Sequence, residues 1–96
     1  MRPIPQTYNQ AGYHMTLIRR DGNVAMYQDA GNSYWEVHRV RFRKAEKLFD
    51  KDLPDREALA GDGDFGKYGW ACVTQEQADQ WFANALATEK SKEITP

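Results

Sequence analysis

The chain has 96 residues, of which 41% are hydrophobic and 28% charged, with a formal net charge of −1. This composition is typical of one small globular domain. The near-zero charge gives no whole-chain attraction for nucleic acid or an anionic membrane, and no apolar run approaches the roughly 18 residues that span a bilayer. The single Cys72 excludes an intrachain disulfide and favours a reducing compartment. Since residues 1–6 lack an apolar signal segment, we expect a cytoplasmic protein.

Charge is distributed unevenly along the chain. Residues 1–48 carry eight Lys and Arg with four Asp and Glu, whereas residues 49–96 carry five and ten. This asymmetry is compatible with self-association or a dipolar surface as well as with ligand binding.

The first predicted elements are an arm and a β-hairpin. Residues 1–11 contain two prolines and polar side chains, which predict an extended arm. Residues 13–20 predict a strand, and Asp21-Gly22 predicts a two-residue type I′ turn after it. This turn places Leu17 opposite Met26 on the buried face of the hairpin.

A long strand is predicted from residue 34 to residue 43, after a turn at residues 30–33. Its alternation breaks between two apolar pairs of opposite parity, Trp35 with Val37 and Val40 with Phe42. Burying all four side chains on one face requires one extra residue, so we predict a β-bulge near His38-Arg39. The residues that then point outward are Glu36, Arg41 and Arg43.

The C-terminal half predicts a strand followed by a helix. Residues 44–64 form a charged connection in which residues 54–61 fit either one short helix, with Gly61 past its end, or a loop. Residues 65–73 predict the last strand, with glycines that mark a bend. Thr74 is expected to cap a helix that runs to about residue 88, with Gln77 at the capping-box spacing. Its apolar stripe, in which both aromatic rings are expected to be buried, is Ala78, Trp81, Phe82, Ala85 and Leu86.

The order β-β-β-β-α predicts an α+β domain over residues 12–90. In this domain the C-terminal helix packs on one face of an antiparallel sheet of three to four strands. The other face of the sheet is expected to be exposed. Residues 91–96 predict a polar tail.

The sequence carries no strong catalytic or cofactor signature. Residues 61–66 spell G-x-G-x-x-G, but two aspartates and a following strand disfavour a dinucleotide. His14, His38 and Cys72 lack the paired spacing of zinc ligands. Glu36 and His38 lie two apart on one strand, without a nucleophile or an oxyanion donor set. We therefore expect no enzymatic activity, no metal and no cofactor.

A basic strand is the strongest candidate binding feature. Arginines interleaved with aromatic rings can bind the phosphates and bases of single-stranded nucleic acid, and the same residue types anchor protein interfaces. Aromatic residues expected near the basic strand are Tyr34, Trp35, Phe42, Tyr68 and Trp70. The candidate interaction surface is the exposed sheet face with its rim: Arg19, Arg20, Tyr34, Glu36, Arg39, Arg41 and Arg43.

Three segments carry a resemblance to known proteins. They are the hairpin over residues 13–27, Trp35-Glu36-Val37, and Phe65-Gly66-Lys67-Tyr68-Gly69-Trp70 before an alanine-rich and aromatic helix. Together they resemble small uncharacterised proteins of bacteriophages, prophages and other mobile elements, which carry a Phe/Trp-Gly-x-x-Gly/Ala-Trp element before a helix. The resemblance implies a bacterial or phage context and a cytoplasmic accessory role. It implies no activity and no site residues.

These observations favour a non-enzymatic protein that binds another protein. A homodimer is a further expectation, because so small a sheet leaves strand edges open. The alternative is single-stranded nucleic-acid binding through the same arginines, which the overall charge disfavours. No membrane partner is expected.

Overall fold

The computed structural model describes residues 2–94, without the side chains of residues 48, 62 and 92–94. Five strands within this range form one antiparallel sheet in the order β1-β2-β3-β4-β9, and helix α1, Gln75–Ile94, packs against it. The predicted α+β class and the packed C-terminal helix are confirmed. The strands are β1 Thr7–Gln10, β2 Tyr13–Asp21, β3 Val24–Asp29, β4 Trp35–Arg39, β5 Arg41–Arg43, β6 Glu46–Leu48, β7 Lys51–Leu53, β8 Arg56–Ala58 and β9 Gly69–Cys72.

The N-terminal segment contributes a strand that the sequence did not predict. Strand β1 pairs antiparallel with β2, with Tyr8 opposite Met15, and Ile4 is buried. Residues 2–10 therefore lie against the domain, and the main sheet has five strands among the described residues, not three to four. Met1 of the predicted arm lies outside the described residues.

Helix α1 begins as predicted. The Thr74 hydroxyl accepts the Gln77 backbone N–H at 3.1 Å, and the Gln77 side chain accepts the Val73 N–H at 3.1 Å. The first bond satisfies a backbone amide that the helix itself leaves unpaired. The second binds the N–H of Val73, one residue before the cap, and not the Thr74 N–H of a capping box, so this half of the predicted motif is wrong. The residues that the helix buries against the sheet are Ala78, Phe82 and Ala85. The helix continues over residues 91–94 of the predicted tail, whose last two residues lie outside the described range.

The prediction that Trp81 is buried is wrong. Its indole is 39% exposed and stacks on Trp70, with centroids 4.9 Å apart and planes 10° apart. Neighbouring helical residues point about 100° apart, so Trp81 and Phe82 cannot both face the centre of the sheet. Phe82 takes the centre, and Trp81 lies at the margin beside strand β9. Among the described residues, no helix is both long enough and apolar enough to span a membrane.

The β2–β3 hairpin has a different register from the predicted one. Its two-residue turn is Gly22-Asn23, with Gly22 at φ +57° and Asn23 outside the positive-φ region. Glycine at the first turn position is the type II′ pattern. Because the turn lies one residue later and a register shift falls at Ile18, Leu17 pairs with Tyr27 and not with Met26.

Strand β4 is regular, so the predicted bulge near His38-Arg39 is wrong. Neither of its two ladders, with β3 and with β9, contains a register shift. The bulge is unnecessary because both faces of the sheet are buried. Trp35 and Val37 join the core beneath α1, whereas Val40 joins a second core on the opposite face.

The second face is covered by the N-terminal segment and by residues 56–60, so the expectation of an exposed face is wrong. Its core consists of Ile4, Met15, Ala25, Tyr27 and Val40, with Tyr8, Leu17, Tyr34 and Leu59 packed around it. The Ile4 N–H donates to the Glu57 carboxylate at 3.1 Å, and the Tyr27 hydroxyl donates to the Pro5 carbonyl at 2.5 Å. These bonds hold the N-terminal segment across the sheet.

Residues 41–58 form one interrupted hairpin, here named the β arm. Strand β5 pairs with β8 and β6 with β7, and the two ladders share one continuous register. The interruption falls at Pro54, which has no N–H to donate. The Ala45 N–H instead donates to the Asp55 carboxylate at 2.5 Å. Residues 56–58 form strand β8, which rules out the helix that the sequence offered, beside a loop, for residues 54–61.

Strand β9 begins at Gly69, later than the predicted Phe65. A 3₁₀ helix over Asp62–Asp64 and a turn with Gly66 at φ +95° precede it. A Cβ on Gly69 would lie 2.7 Å from the Cβ of Ala60. Glycine at this position therefore allows the strand to pass close to the segment that covers the second face.

Candidate interaction surface

The residues predicted to share one exposed face lie in different places. Glu36 and Arg39 are buried, at 3% and 6% exposure, and Tyr34 is half-buried. Arg19 lies on the α1 side, with its guanidinium carbon 4.1 Å from the centroid of the Phe82 ring. The prediction that these residues form one exposed face is wrong, because the second face is covered. Of the predicted set, Arg19, Arg20 and Arg43 are exposed and Arg41 is half-buried.

Three arginines of the predicted interaction surface form ion pairs with carboxylates from the acidic half of the chain, residues 49–96. The nitrogen–oxygen distances are 2.6 Å for Arg20–Glu57, 2.7 Å for Arg39–Glu89 and 3.1 Å for Arg41–Asp64. The uneven distribution of charge along the sequence is therefore compensated within the fold. Arginines that already have carboxylate partners attract the phosphates of a nucleic acid less strongly than unpaired ones.

A buried carboxylate accepts several hydrogen bonds on the second face. Glu36 accepts from the Tyr8 hydroxyl, from the Tyr34 hydroxyl at 2.8 Å and from His38 Nε2 at 3.0 Å. The Ala60 backbone N–H donates to His38 Nδ1 at 3.2 Å. Because Nδ1 is an acceptor, the hydrogen-bond pattern assigns the ring proton to Nε2. We name these four side chains, Tyr8, Tyr34, Glu36 and His38, the Glu36 network.

Burial and hydrogen bonding act in opposite directions on Glu36. Burial favours the neutral acid, but the bonds from His38, Tyr8 and Tyr34 outweigh it and hold the pKa of Glu36 below its ordinary value. Burial, followed by the bond to Glu36, raises the pKa of both Tyr8 and Tyr34. The network thus holds one carboxylate anion beside two neutral phenols.

The Glu36 network is enclosed by aromatic rings. Tyr27 and Phe65 lie edge-on to His38 at centroid distances of 5.7 and 5.9 Å, and Tyr13 stacks on Tyr34 at 4.4 Å. A general acid or base must come within hydrogen-bond reach of its substrate. Glu36 and His38 are too deeply buried for this, so we interpret the network as a stabilising element of the core.

The candidate metal ligands do not come together. His14 is exposed, with Nδ1 2.7 Å from the Asn9 side-chain oxygen, and His38 lies on the second face. Cys72 is buried beneath α1, where burial raises the pKa of its thiol and disfavours a reactive thiolate. The described residues contain no group of three or more His, Cys, Asp or Glu side chains that could hold a metal ion.

Three cations surround the half-buried ring of Tyr68, as the sequence predicted for the arginines. The guanidinium carbons of Arg39 and Arg41 lie 4.8 and 4.6 Å from the ring centroid, and the Lys67 ammonium lies 5.4 Å from it. All three distances lie within cation–π range. No described carboxylate forms an ion pair with Lys67. We name these four residues the Tyr68 cluster.

The β arm ends in an exposed aromatic ring. Phe49 and Asp50 form its two-residue turn, and Phe49 is 92% exposed at φ +57°. This backbone region costs a non-glycine residue about 1–2 kcal/mol. Phe49 also borders an open cavity of about 450 Å³ with Asp50, Lys51 and Leu53. The ring is therefore available to a partner.

Sequence reasoning missed Phe49, Lys67 and Tyr8 as site residues. The turn at Phe49-Asp50 contains no glycine or asparagine, so the usual hairpin signal is absent. Tyr8 lies in the segment predicted to be an arm. The usable signal for Lys67 was its position beside Tyr68, which the sequence already placed near the basic strand.

Comparisons of the chain with models of protein families, with curated proteins and with solved structures found no match.

Proposed function

We propose that this protein is a non-enzymatic binding protein that acts through protein–protein interaction, with the β arm as its main contact surface. Phe49 carries the proposal. The ring of Phe49 gains little from folding because the residue is 92% exposed. Its backbone has a positive φ, which is unfavourable for a residue other than glycine. A strained and exposed aromatic residue is better explained by binding than by stability.

The chemistry of the arm fits an interface. Burying a phenyl ring in an apolar pocket contributes about 1.5–3 kcal/mol, and such rings are common anchors. Charged residues beside Phe49 supply a polar rim: Lys47, Asp50, Lys51 and Asp52. Arg41 and Arg43, two members of the predicted surface, lie at the base of the same arm.

Affinity capture with a Phe49→Gly variant tests the proposal. Glycine removes the strain at φ +57° but loses more chain entropy on folding, and these effects oppose each other. Little burial is lost, so the free energy of unfolding should change by less than about 1 kcal/mol. The control is Val73→Ala, at an exposed apolar residue outside the arm. Tagged wild type, variant and control are incubated with a lysate of the native host, and retained proteins are quantified by mass spectrometry.

The expected result is a protein retained by the wild type and by Val73→Ala but lost with Phe49→Gly. Retention of the same proteins by all three chains, or of none by the wild type, would overturn the role of the arm. Purified partner and binary affinity measurements then establish that the contact is direct.

The biological setting is part of the proposal. The resemblance to small phage and mobile-element proteins supports an accessory role that modulates a host or phage complex. The single, buried Cys72 supports a cytoplasmic location. Expression timing relative to phage induction tests the setting, and expression independent of any mobile element would count against it.

A second copy of the chain is one candidate partner. The outer edge of β9 is partly capped, because the Gly69 carbonyl accepts the Gly66 N–H at 2.7 Å and the Val73 N–H donates to Gln77. Strand β1 is thus the more open edge for pairing between copies. Light scattering after size exclusion tests this proposal, and a monomer at every concentration would contradict it.

Single-stranded nucleic-acid binding is the alternative function. It is supported less well, because Arg20, Arg39 and Arg41 already have carboxylate partners. Arg43 is exposed and belongs to no ion pair among the described residues. If this function holds, Arg43→Ala should reduce the salt dependence of oligonucleotide binding in fluorescence anisotropy. An oligonucleotide affinity that Arg43→Ala leaves unchanged would count against this surface.

A further inference from the structure

One nitrogen of the Arg39 guanidinium has no partner. Nε donates to Glu89 at 2.7 Å and Nη1 donates to the Lys67 carbonyl at 3.2 Å, but buried Nη2 meets no acceptor among the described residues. The Arg39 side chain is only 7% exposed. Buried donors without acceptors are rare in native proteins and require an explanation.

The surroundings of this nitrogen are unusually cationic. Arg39, Arg41 and Lys67 all lie within 5.4 Å of the Tyr68 ring centroid, by guanidinium carbon or ammonium nitrogen. The two arginines have one carboxylate partner each, so the cluster retains one positive charge in excess. An anion adjacent to the cluster would balance this charge.

Part of the cluster is accessible from solvent. Lys67 is exposed, and the side chains of Arg41 and its partner Asp64 are 35% and 29% exposed. Arg41 contacts Asp64 through a single nitrogen at 3.1 Å. Since a guanidinium carries five donors, a second anion can be bound by Arg41 or can replace Asp64.

We propose that the Tyr68 cluster is a binding site for a phosphate group. Lys67 and Arg41 provide the accessible cations, and the buried Arg39 adds its charge. Ammonium and guanidinium groups are the side chains that bind phosphate oxygens in proteins. The Tyr68 ring already contacts guanidiniums at 4.6 and 4.8 Å, so it is poorly placed to stack on a nucleobase. The recognised chemistry is therefore the phosphate, either free or in a nucleic-acid backbone.

Calorimetry with two probes separates these sources. The full chain is titrated with sodium pyrophosphate and, separately, with a short oligothymidylate at low ionic strength. Lys67→Ala should weaken binding by about tenfold, the effect of losing one charged contact. The matched control is Lys47→Ala, which removes an exposed lysine of the β arm and should leave the affinity unchanged.

Asp64→Asn provides a readout that a folding defect does not mimic. The amide keeps an oxygen acceptor but removes the negative charge that competes for Arg41. We expect phosphate to bind several-fold more tightly to this variant. A weaker or unchanged affinity would contradict a phosphate bound at Arg41, because the Asp64 charge repels an anion there whether or not the anion displaces it.

Each outcome bears on the proposal. Binding of pyrophosphate alone supports a site for free phosphates. Binding of the oligonucleotide with a salt slope that Lys67→Ala lowers by about one supports a phosphodiester ligand. Failure of both probes to bind, or equal weakening by Lys67→Ala and Lys47→Ala, would overturn the site. None of these results depends on Phe49, so they leave the proposed protein-binding function untouched.

Discussion

Replacing Glu36 by glutamine tests whether the Glu36 network stabilises the fold. Glutamine has nearly the same shape, but it carries no charge and presents an amide donor where the carboxylate accepts. Glu36 accepts from Tyr8, Tyr34 and His38 within a buried site. In the variant, at least one of these donors must lose its acceptor or rotate away from it.

The expected destabilisation follows from the number and type of these bonds. A hydrogen bond to a charged group contributes about 1.5–3 kcal/mol. The substitution also removes the cost of burying an anion, so the net effect is smaller than the sum of the bonds. We expect Glu36→Gln to lower the free energy of unfolding by about 3 kcal/mol. At about 4–8 °C per kcal/mol for a domain of this size, Tm should fall by roughly 12–24 °C.

Urea unfolding at neutral pH, followed by tryptophan fluorescence and circular dichroism, measures this change. Tyr34→Phe is the graded control, because it removes one of the three donors and should cost about 1.5 kcal/mol. A loss below about 1 kcal/mol for Glu36→Gln, or one no larger than that of the control, would refute the stabilising role of the network.

The same network predicts a pH dependence. The pKa of Glu36 is lowered in the folded protein, so the folded state binds fewer protons than the unfolded state. The stabilisation is present above the ordinary glutamate pKa of about 4.3 and is lost as the pH falls through the folded value. Glu36→Gln should therefore flatten the acid limb of the stability curve. Equal slopes for both proteins would show that Glu36 does not contribute to it.

Four further substitutions test the packing and the helix cap, each by chemical denaturation. Phe82→Ala should lower the free energy of unfolding by about 3–5 kcal/mol. Trp81→Ala should cost roughly 1–2 kcal/mol, because its ring is partly exposed. Equal losses would contradict the described orientation of α1. Thr74→Ala should cost about 1 kcal/mol by removing the helix cap, and no loss would show that the cap is dispensable. Gly69→Ala should cost about 1–3 kcal/mol, because its Cβ would lie 2.7 Å from that of Ala60, and a neutral result would show that this segment can shift.

The elements that could be predicted from the sequence are those specified by near neighbours. The cap at Thr74 depends on Gln77, three residues away, and the buried face of α1 follows from helical periodicity. The α+β class follows from the order of such elements. The indole of Trp81 was misplaced because the width of the buried face depends on how the helix crosses the sheet.

The elements that were predicted wrongly depend on distant partners. The predicted bulge in β4 was required only if a single face of the sheet was buried. The second face is also covered, by Ile4 and by residues 56–60, so the strand needs no bulge. Residues 54–61 have a helix-like pattern, but pairing with β5 makes residues 56–58 a strand. The same cover buries Glu36, whereas Arg39 is buried on the α1 side, where it pairs with Glu89.

The ion pairs of the fold decide which surfaces remain for recognition. Arg20, Arg39 and Arg41 are compensated internally, so the two proposed sites differ in physical character. A contact through Phe49 is apolar and should change little with salt, because screening acts on charges and not on apolar burial. Phosphate binding at Lys67 should instead weaken steeply as ionic strength rises. Measured on one preparation, different salt responses would support separate surfaces for the two ligands, and a protein contact that weakens as steeply as phosphate binding would contradict an apolar contact through Phe49.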